Sequence, residues 1–146
     1  MGQLAESMGG QLTLLRYLDD QLAVAEAALA AARRAGDTPA EGLALNNLGM
    51  AHRELRRCEE AVACYQESLA IRRETGDRCG EGQTLNNLGS AHQWSGRLEE
   101  AITCYQESLA IRRETDDRYG EAQVLNNLGG AYQQLRRMEE AIGCYQ

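Results

Sequence analysis

One string recurs at a fixed spacing. Residues 41–80 read EGLALNNLGMAHRELRRCEEAVACYQESLAIRRETGDRCG, and residues 81–120 read EGQTLNNLGSAHQWSGRLEEAITCYQESLAIRRETDDRYG. Residues 121–146 begin the same text again, EAQVLNNLGGAYQQLRRMEEAIGCYQ. The period is 40 residues with no gap. A unit this short cannot bury its own apolar face, so the chain must fold by stacking copies on one another.

Residues 1–40 are a degenerate copy. Asp19-Asp20 stands where Glu59-Glu60 stands, Ala28-Leu29 matches Ser68-Leu69, and Ala35-Gly36-Asp37 matches Thr75-Gly76-Asp77. The expected organisation is therefore a degenerate unit at 1–40, full units at 41–80 and 81–120, and a truncated unit at 121–146, together one domain. Gly9-Gly10 lies inside the first helical stretch, where each Gly costs roughly 1 kcal/mol relative to Ala. That stretch is expected to be frayed or irregular.

Each copy carries two helical patterns. Leu45, Leu48, Gly49 and His52 fall on one face of a first helix, and Ala61, Tyr65, Ser68 and Leu69 on one face of a second. Leu55-Arg56-Arg57, or Ser95-Gly96-Arg97, forms a short break, which makes the pair antiparallel. Gly36-Asp37 and Gly76-Asp77 punctuate the second helices: Gly suits a left-handed C′ position, and Asp caps the next helix. Pro39 then falls in a first turn, where its missing N–H is harmless.

This small-and-large pattern resembles the tetratricopeptide-repeat (TPR) family, in which large–Leu–Gly–aromatic on the first helix meets Ala–aromatic–Ala on the second. The matching residues are Leu85, Leu88, Gly89, His92, Ala101, Tyr105 and Ser108 in one copy. In the last they are Leu125, Leu128, Gly129, Tyr132, Ala141 and Tyr145. The resemblance implies an all-α fold, a right-handed superhelical solenoid of stacked antiparallel hairpins. The 40-residue period departs from the usual 34. With the LNNLG…SLAIRRETGDR wording, it is similar to a subclass that includes kinesin light chains, spindle-orientation adaptors and the sensor arrays of bacterial STAND-type regulators. The bacterial arrays are the nearest in wording.

Function in such a scaffold belongs to the groove lined by first helices. A helical wheel puts Asn46, Met50 and Arg53 to one side of the packed face, and Asn47 and Glu54 near the opposite side. The groove candidates are Asn46, Asn47, Asn86, Asn87, Asn126, Asn127, Arg53, Gln93, Trp94 and Gln133. Asn is a poor helix former, so a pair of them in three copies needs a reason. Two readings stand: an amide ladder for the backbone of an extended peptide, or one Asn of each pair bonded to the neighbouring repeat. Trp94 is the single Trp, either a binding hot spot or a cover for its own turn.

Other chemistry-bearing residues read as structural. His52 and His92 occupy the aromatic slot of Tyr132. Cys64, Cys104 and Cys144 share one slot as small packing residues, and Cys58 and Cys79 are single, semi-exposed thiols. Arg72-Arg73 and Arg112-Arg113 close second helices, where cations suit the dipole and water solvates them. Arg53 is then the one basic groove residue, too little for an acidic chaperone tail.

Composition narrows the partners. The net charge is −7, which disfavours nucleic acid and anionic membranes. All 15 basic residues are Arg, as GC-rich bacterial codon usage would give. Five cysteines without a secretion signal suit reduced thiols in a cytoplasm. No nucleophile–base pair, metal cluster or cofactor motif is visible, so no enzyme and no cofactor is expected. The expected role is a scaffold that binds a protein or peptide. Gln146 falls in mid-pattern, so a longer bacterial regulatory protein is expected around this piece. The alternative is a self-assembly module that oligomerises through exposed solenoid ends.

Overall fold

A computed structural model describes residues 2–145, with side chains placed for residues 8–139 and 142. Six helices follow in order: α1 (Gly2–Ala35), α2 (Thr38–Glu54), α3 (Cys58–Glu74), α4 (Arg78–Trp94), α5 (Leu98–Glu114) and α6 (Arg118–Tyr145). No strand occurs among the described residues. Helices α2 and α3 form one antiparallel hairpin, and α4 and α5 the next. Each helix also packs on its neighbour across the copy boundary. The backbones of successive first helices, α2 with α4 and α4 with α6, approach one another directly, whereas those of α3 and α5 do not. The stack is thus tight along the first helices and splayed along the second, which bends it into an array with an inner row of first helices.

The hairpins close on a contact between the smallest and one of the largest side chains. Tyr65 and Tyr105 are 0% and 1% exposed. Each ring lies on a glycine: a Cβ at Gly49 would come within 2.6 Å of Tyr65, and one at Gly89 within 2.7 Å of Tyr105. Only a bare Cα lets the helices approach this closely. Burial pushes both phenols up to about 12, so they stay neutral at physiological pH. A second close approach lies one turn further along. Ser68 Oγ donates to the Gly42 carbonyl at 2.7 Å, and Ser108 Oγ to that of Gly82 at 2.7 Å. Leu45, Leu48, Leu85, Leu88, Leu69 and Leu109 fill the space between, all buried. Each contributes about 1.5–3 kcal/mol of transfer free energy.

Junctions between helices follow the expected punctuation. Asp37 caps α2 by accepting from the Ala40 N–H at 3.2 Å, with Pro39 in the first turn. Asp77 and Asp117 cap α4 and α6 by accepting from Gly80 and Gly120, both at 2.9 Å. Gly36, Gly76 and Gly96 adopt φ of 66°, 71° and 78°. Arg56 and Asp116 take the same left-handed turn at 61° and 54° without glycine's freedom, a strain of about 1–2 kcal/mol each that the packed hairpins must offset.

The terminal copies depart from expectation. No hairpin forms in residues 1–40: α1 runs through the expected break and is neither frayed nor irregular at Gly9-Gly10, where Thr13 Oγ1 donates to the Gly9 carbonyl at 2.8 Å. The physical reason is that the closing contact is missing. Ala25 replaces the tyrosine, and nothing lies within 4 Å of a Cβ at Gly9. At Leu135-Arg136-Arg137, the position where the two preceding copies turn, α6 continues as helix. Nothing lies within 4 Å of a Cβ at Gly129 either. Both ends therefore leave apolar side chains in solvent: Met8, Leu12 and Leu15 on α1, and Tyr132, Met138 and Ile142 on α6.

Glycine should consequently behave in opposite ways at equivalent positions. Gly89→Ala is expected to lower stability by about 1–3 kcal/mol through overpacking against Tyr105. Gly129→Ala is expected to raise it by about 0.5–1 kcal/mol, because only helix propensity changes. Urea unfolding midpoints of the two variants check this.

Candidate binding groove

The inner row of helices encloses a groove of about 1000 Å³. Its apolar and aromatic lining comes from Leu43, Met50, Trp94 and Tyr119. Amides Gln83, Asn86, Asn87, Gln123 and Asn127 lie between them. Arg53 and Arg56 stand at one margin with Glu54. Trp94 is 66% exposed and Tyr119 83% exposed. Trp94 therefore does not bury itself over its own turn; it projects from the last turn of α4. Tyr119 comes from the first turn of α6 and replaces Pro39 and Cys79 of earlier copies. Comparing copies across that first turn would have revealed it.

The asparagines connect repeats. Asn46 is 1% exposed. Its Oδ1 accepts from Asn87 Nδ2 at 3.1 Å and from Thr84 Oγ1 at 3.3 Å. Asn86 Oδ1 accepts from Asn127 Nδ2 at 3.0 Å. The first Asn of one copy thus receives the second Asn of the next. Asn46 is accordingly withdrawn from the groove, and Asn47 lines a separate apolar crevice between α1 and α2 with Leu14 and Tyr17. Asn126 is exposed and outside the groove lining. Asn87 and Asn127 do double duty. Each gives its N–H to the ladder and keeps a carbonyl oxygen without a partner among the described residues, at the groove wall.

The other candidates divide in the same way. Gln93 accepts from Tyr105 Oη at 2.7 Å and donates to Gln134 Oε1 at 2.6 Å, so its amide serves packing. Gln133 is exposed and stands outside the lining. Arg53 does line the groove. His92 is buried, and burial lowers its pKa below the usual value, which leaves it a neutral member of the aromatic slot. Burial raises the thiols of Cys64 and Cys104, the latter to about 11, so neither is a reactive thiolate. Cys144 falls outside the described side chains. Among the described residues no His, Cys, Asp or Glu cluster could hold a metal ion.

Arg72 and Arg112 differ from expectation. They are not solvated: their side chains are 10% and 11% exposed, and both line the groove. Arg72 Nη1 pairs with Asp77 Oδ2, and Arg112 Nη1 with Asp117 Oδ2 at 2.6 Å. A Cβ at Gly80 or Gly120 would collide with these guanidinium groups. In the first copy Ala32 and Ala40 hold the two positions, so a short residue opposite allows a methyl. Arg73, one residue on, does face solvent and reaches Glu81 at 3.1 Å and Glu107 at 3.4 Å. Arg33 repeats this one copy earlier with Glu41 and Glu67. Glu81 is buried, but the arginines and the other carboxylates remain partly in water, where such pairs contribute little each.

Two outcomes follow for stability. Asn46→Ala should cost about 1–3 kcal/mol, since it strands the Thr84 and Asn87 donors, whereas Asn47→Ala should be near neutral. Denaturant midpoints measure both. Asp77 and Asp117 have pKa values lowered first by their backbone bonds to Gly80 and Gly120, with Arg72 and Arg112 adding to it. A lowered folded pKa gives stability that is present above the unfolded carboxylate value and is lost as pH falls through the folded one. Thermal midpoints should therefore drop on acidification below about pH 4. The double variant Asp77→Asn/Asp117→Asn should start lower at neutral pH and decline less steeply.

Comparison with known proteins agrees with this architecture. The tetratricopeptide-repeat family model matches residues 4–74 and 81–146. Among solved structures, BtubC (BKLC) from P. vanneervenii is similar at 26% identity with a TM-score of 0.67, over 88% of this chain and 54% of that one. The chain thus spans about half the length of that relative. A Podosopora anserina protein described as kinesin light chain nearly identical TPR-like repeats aligns at 18% identity with a TM-score of 0.74, over 94% of this chain and 68% of that one. At that identity the likeness speaks to fold alone. No curated protein matches. No helix among the described residues is long and apolar enough to cross a membrane. Tetratricopeptide repeats mediate protein–protein interactions. With matching repeats along nearly its whole length and the stacked hairpins they fold into, this chain belongs to the tetratricopeptide-repeat family.

Proposed function

We propose that the chain is a non-catalytic scaffold that takes an extended peptide, or an extended segment of a protein, in the groove of α2, α4 and α6. The observation that carries this reading is the pairing of two solvent-facing aromatics, Trp94 and Tyr119, with unused amide carbonyls on Asn87 and Asn127 along one groove. A folded chain gains nothing by holding a Trp two-thirds in water. A bound side chain stacked on it would remove that surface. The amide oxygens accept hydrogen bonds from peptide N–H groups, which suits an extended backbone more than any one side chain. A cytoplasmic setting within a larger bacterial regulatory or signalling protein fits the all-Arg, cysteine-containing composition and the repeat wording.

Panning a random-peptide display library against the chain tests the proposal. Selected peptides should shift Trp94 fluorescence on binding. Trp94→Ala and Tyr119→Ala should each weaken binding by about 1–2 kcal/mol, roughly tenfold, with unchanged thermal midpoints. Peptides whose affinity ignores both substitutions would place binding elsewhere and sink the groove reading.

A further inference from the structure

The groove repeats its own chemistry at a fixed interval. Asn87 on α4 and Asn127 on α6 occupy equivalent places in successive copies. Each gives its Nδ2 hydrogen to an Asn of the preceding first helix, at 3.1 Å and 3.0 Å. That bond orients the amide and leaves Oδ1 at the groove wall on both helices. Cα atoms of α4 and α6 come within 8 Å of one another, and the axes of helices packed this way lie about 8–10 Å apart. Two equivalent acceptors are therefore offered at about the same interval, roughly 9 Å. The lining draws on α2, α4 and α6, so a ligand lying in it crosses the helices and meets the acceptors in turn.

Among regular backbones, one matches that interval. Along a β-strand, N–H groups that point the same way recur about every 6.6 Å. In an α-helix the N–H groups are used within the helix. A polyproline II helix has three residues per turn and rises about 3.1 Å per residue, so equivalent N–H groups recur about every 9.3 Å. From this match we infer that the groove takes a proline-rich segment of another protein in the polyproline II conformation, one turn per repeat. A non-proline residue at every third position donates its N–H to Asn87 and, one turn on, to Asn127. The inference rests on the groove reading above and names the class of segment.

The rims and the charges agree with it. A polyproline II helix is three-sided, so with one edge on the amides the other two face the rims. Trp94 lies about 10 Å beyond Asn87 along α4, and Tyr119 about 12 Å before Asn127 along α6, at the helical rise. The two exposed aromatics thus flank the amide line from opposite sides, where proline rings on the other two edges meet them. The groove also cancels most of its own charge. Arg53 pairs with Glu54 at 3.7 Å, Arg72 with Asp77, and Arg112 with Asp117 at 2.6 Å. Arg56, at the α2 margin, is the cation of the lining without a carboxylate partner among the described residues. The middle of the groove is therefore neutral and matches an uncharged segment. This chain has a single proline, so a second copy cannot supply it. Proline fixes its own φ and holds the preceding residue extended, so little order is lost on binding.

Titration calorimetry and Trp94 fluorescence with the peptide acetyl-(Ala-Pro-Pro)4-amide read the result. The control acetyl-(Ala-Pro-Pro-Pro)3-amide has the same length and backbone conformation, but its N–H groups recur about every 12 Å and fall on different edges. The first peptide should bind roughly tenfold more tightly than the control. Replacing its alanines by N-methylalanine removes the donors and should weaken it by a similar factor. Equal affinity for the three peptides, or no measurable affinity for any, overturns the inference. So would library peptides that depend on Trp94 and Tyr119 yet lack a three-residue period, since the groove reading would then stand without the polyproline II one. Failure of the groove reading itself shows differently, as library peptides that ignore both aromatic substitutions.

Discussion

A tyrosine ring resting on a bare glycine Cα decides where this chain turns. Tyr65 on Gly49 and Tyr105 on Gly89 draw paired helices close enough for Ser68 and Ser108 to reach a backbone carbonyl across the gap. That contact holds left-handed turns even where the sequence does not favour them. Arg56 sits at φ 61° because α3 is anchored behind it. Where the ring is replaced by Ala25, or where the space over Gly129 is open, the helix runs straight on. Hairpin and rod are thus alternatives of one unit, chosen by a contact sixteen residues away from its partner.

The asparagine ladder performs the equivalent task between copies. It joins α2 to α4 and α4 to α6 along the inner row, while the second helices rely on Arg–Glu pairs in water. Strong bonds inside and weak ones outside match a stack that is tight on one side and open on the other. The groove follows from that curvature. Its polar wall is built from the same amides that hold it together, so recognition and structure share atoms at Asn87 and Asn127.

Much of this was legible in the repeat itself. The 40-residue period, the two faces per copy, the Asp caps and the small-on-large code all have counterparts in the helices and their contacts. What escaped was decided at a distance. Leu55-Arg56-Arg57 and Leu135-Arg136-Arg137 are the same tripeptide, yet one is a turn and the other helix. Arg72 and Arg73 are neighbours with the same side chain, but only Arg72 folds inward, because Gly80 leaves it room. Helical angles placed Asn46 beside the groove without showing that the next repeat would cover it. Tyr119 was missed for a simpler reason: it stands in the first turn of its helix, where the earlier copies carry Pro39 and Cys79.

The Arg72–Gly80 and Arg112–Gly120 pairs have a consequence for how such an array can change. Each pair joins a second helix to the first helix that follows it, and the first such junction uses Ala32 with Ala40 instead. Near-identical copies invite unequal recombination. A crossover inside the eight-residue window between the two positions would join an arginine to a methyl, which collides, or an alanine to a bare backbone, which leaves a void. Crossovers elsewhere in the period keep each pair whole. Copy number is therefore free to drift while the boundaries at which copies can be spliced are not, and the alanine-type junction travels as a unit with the leading copy.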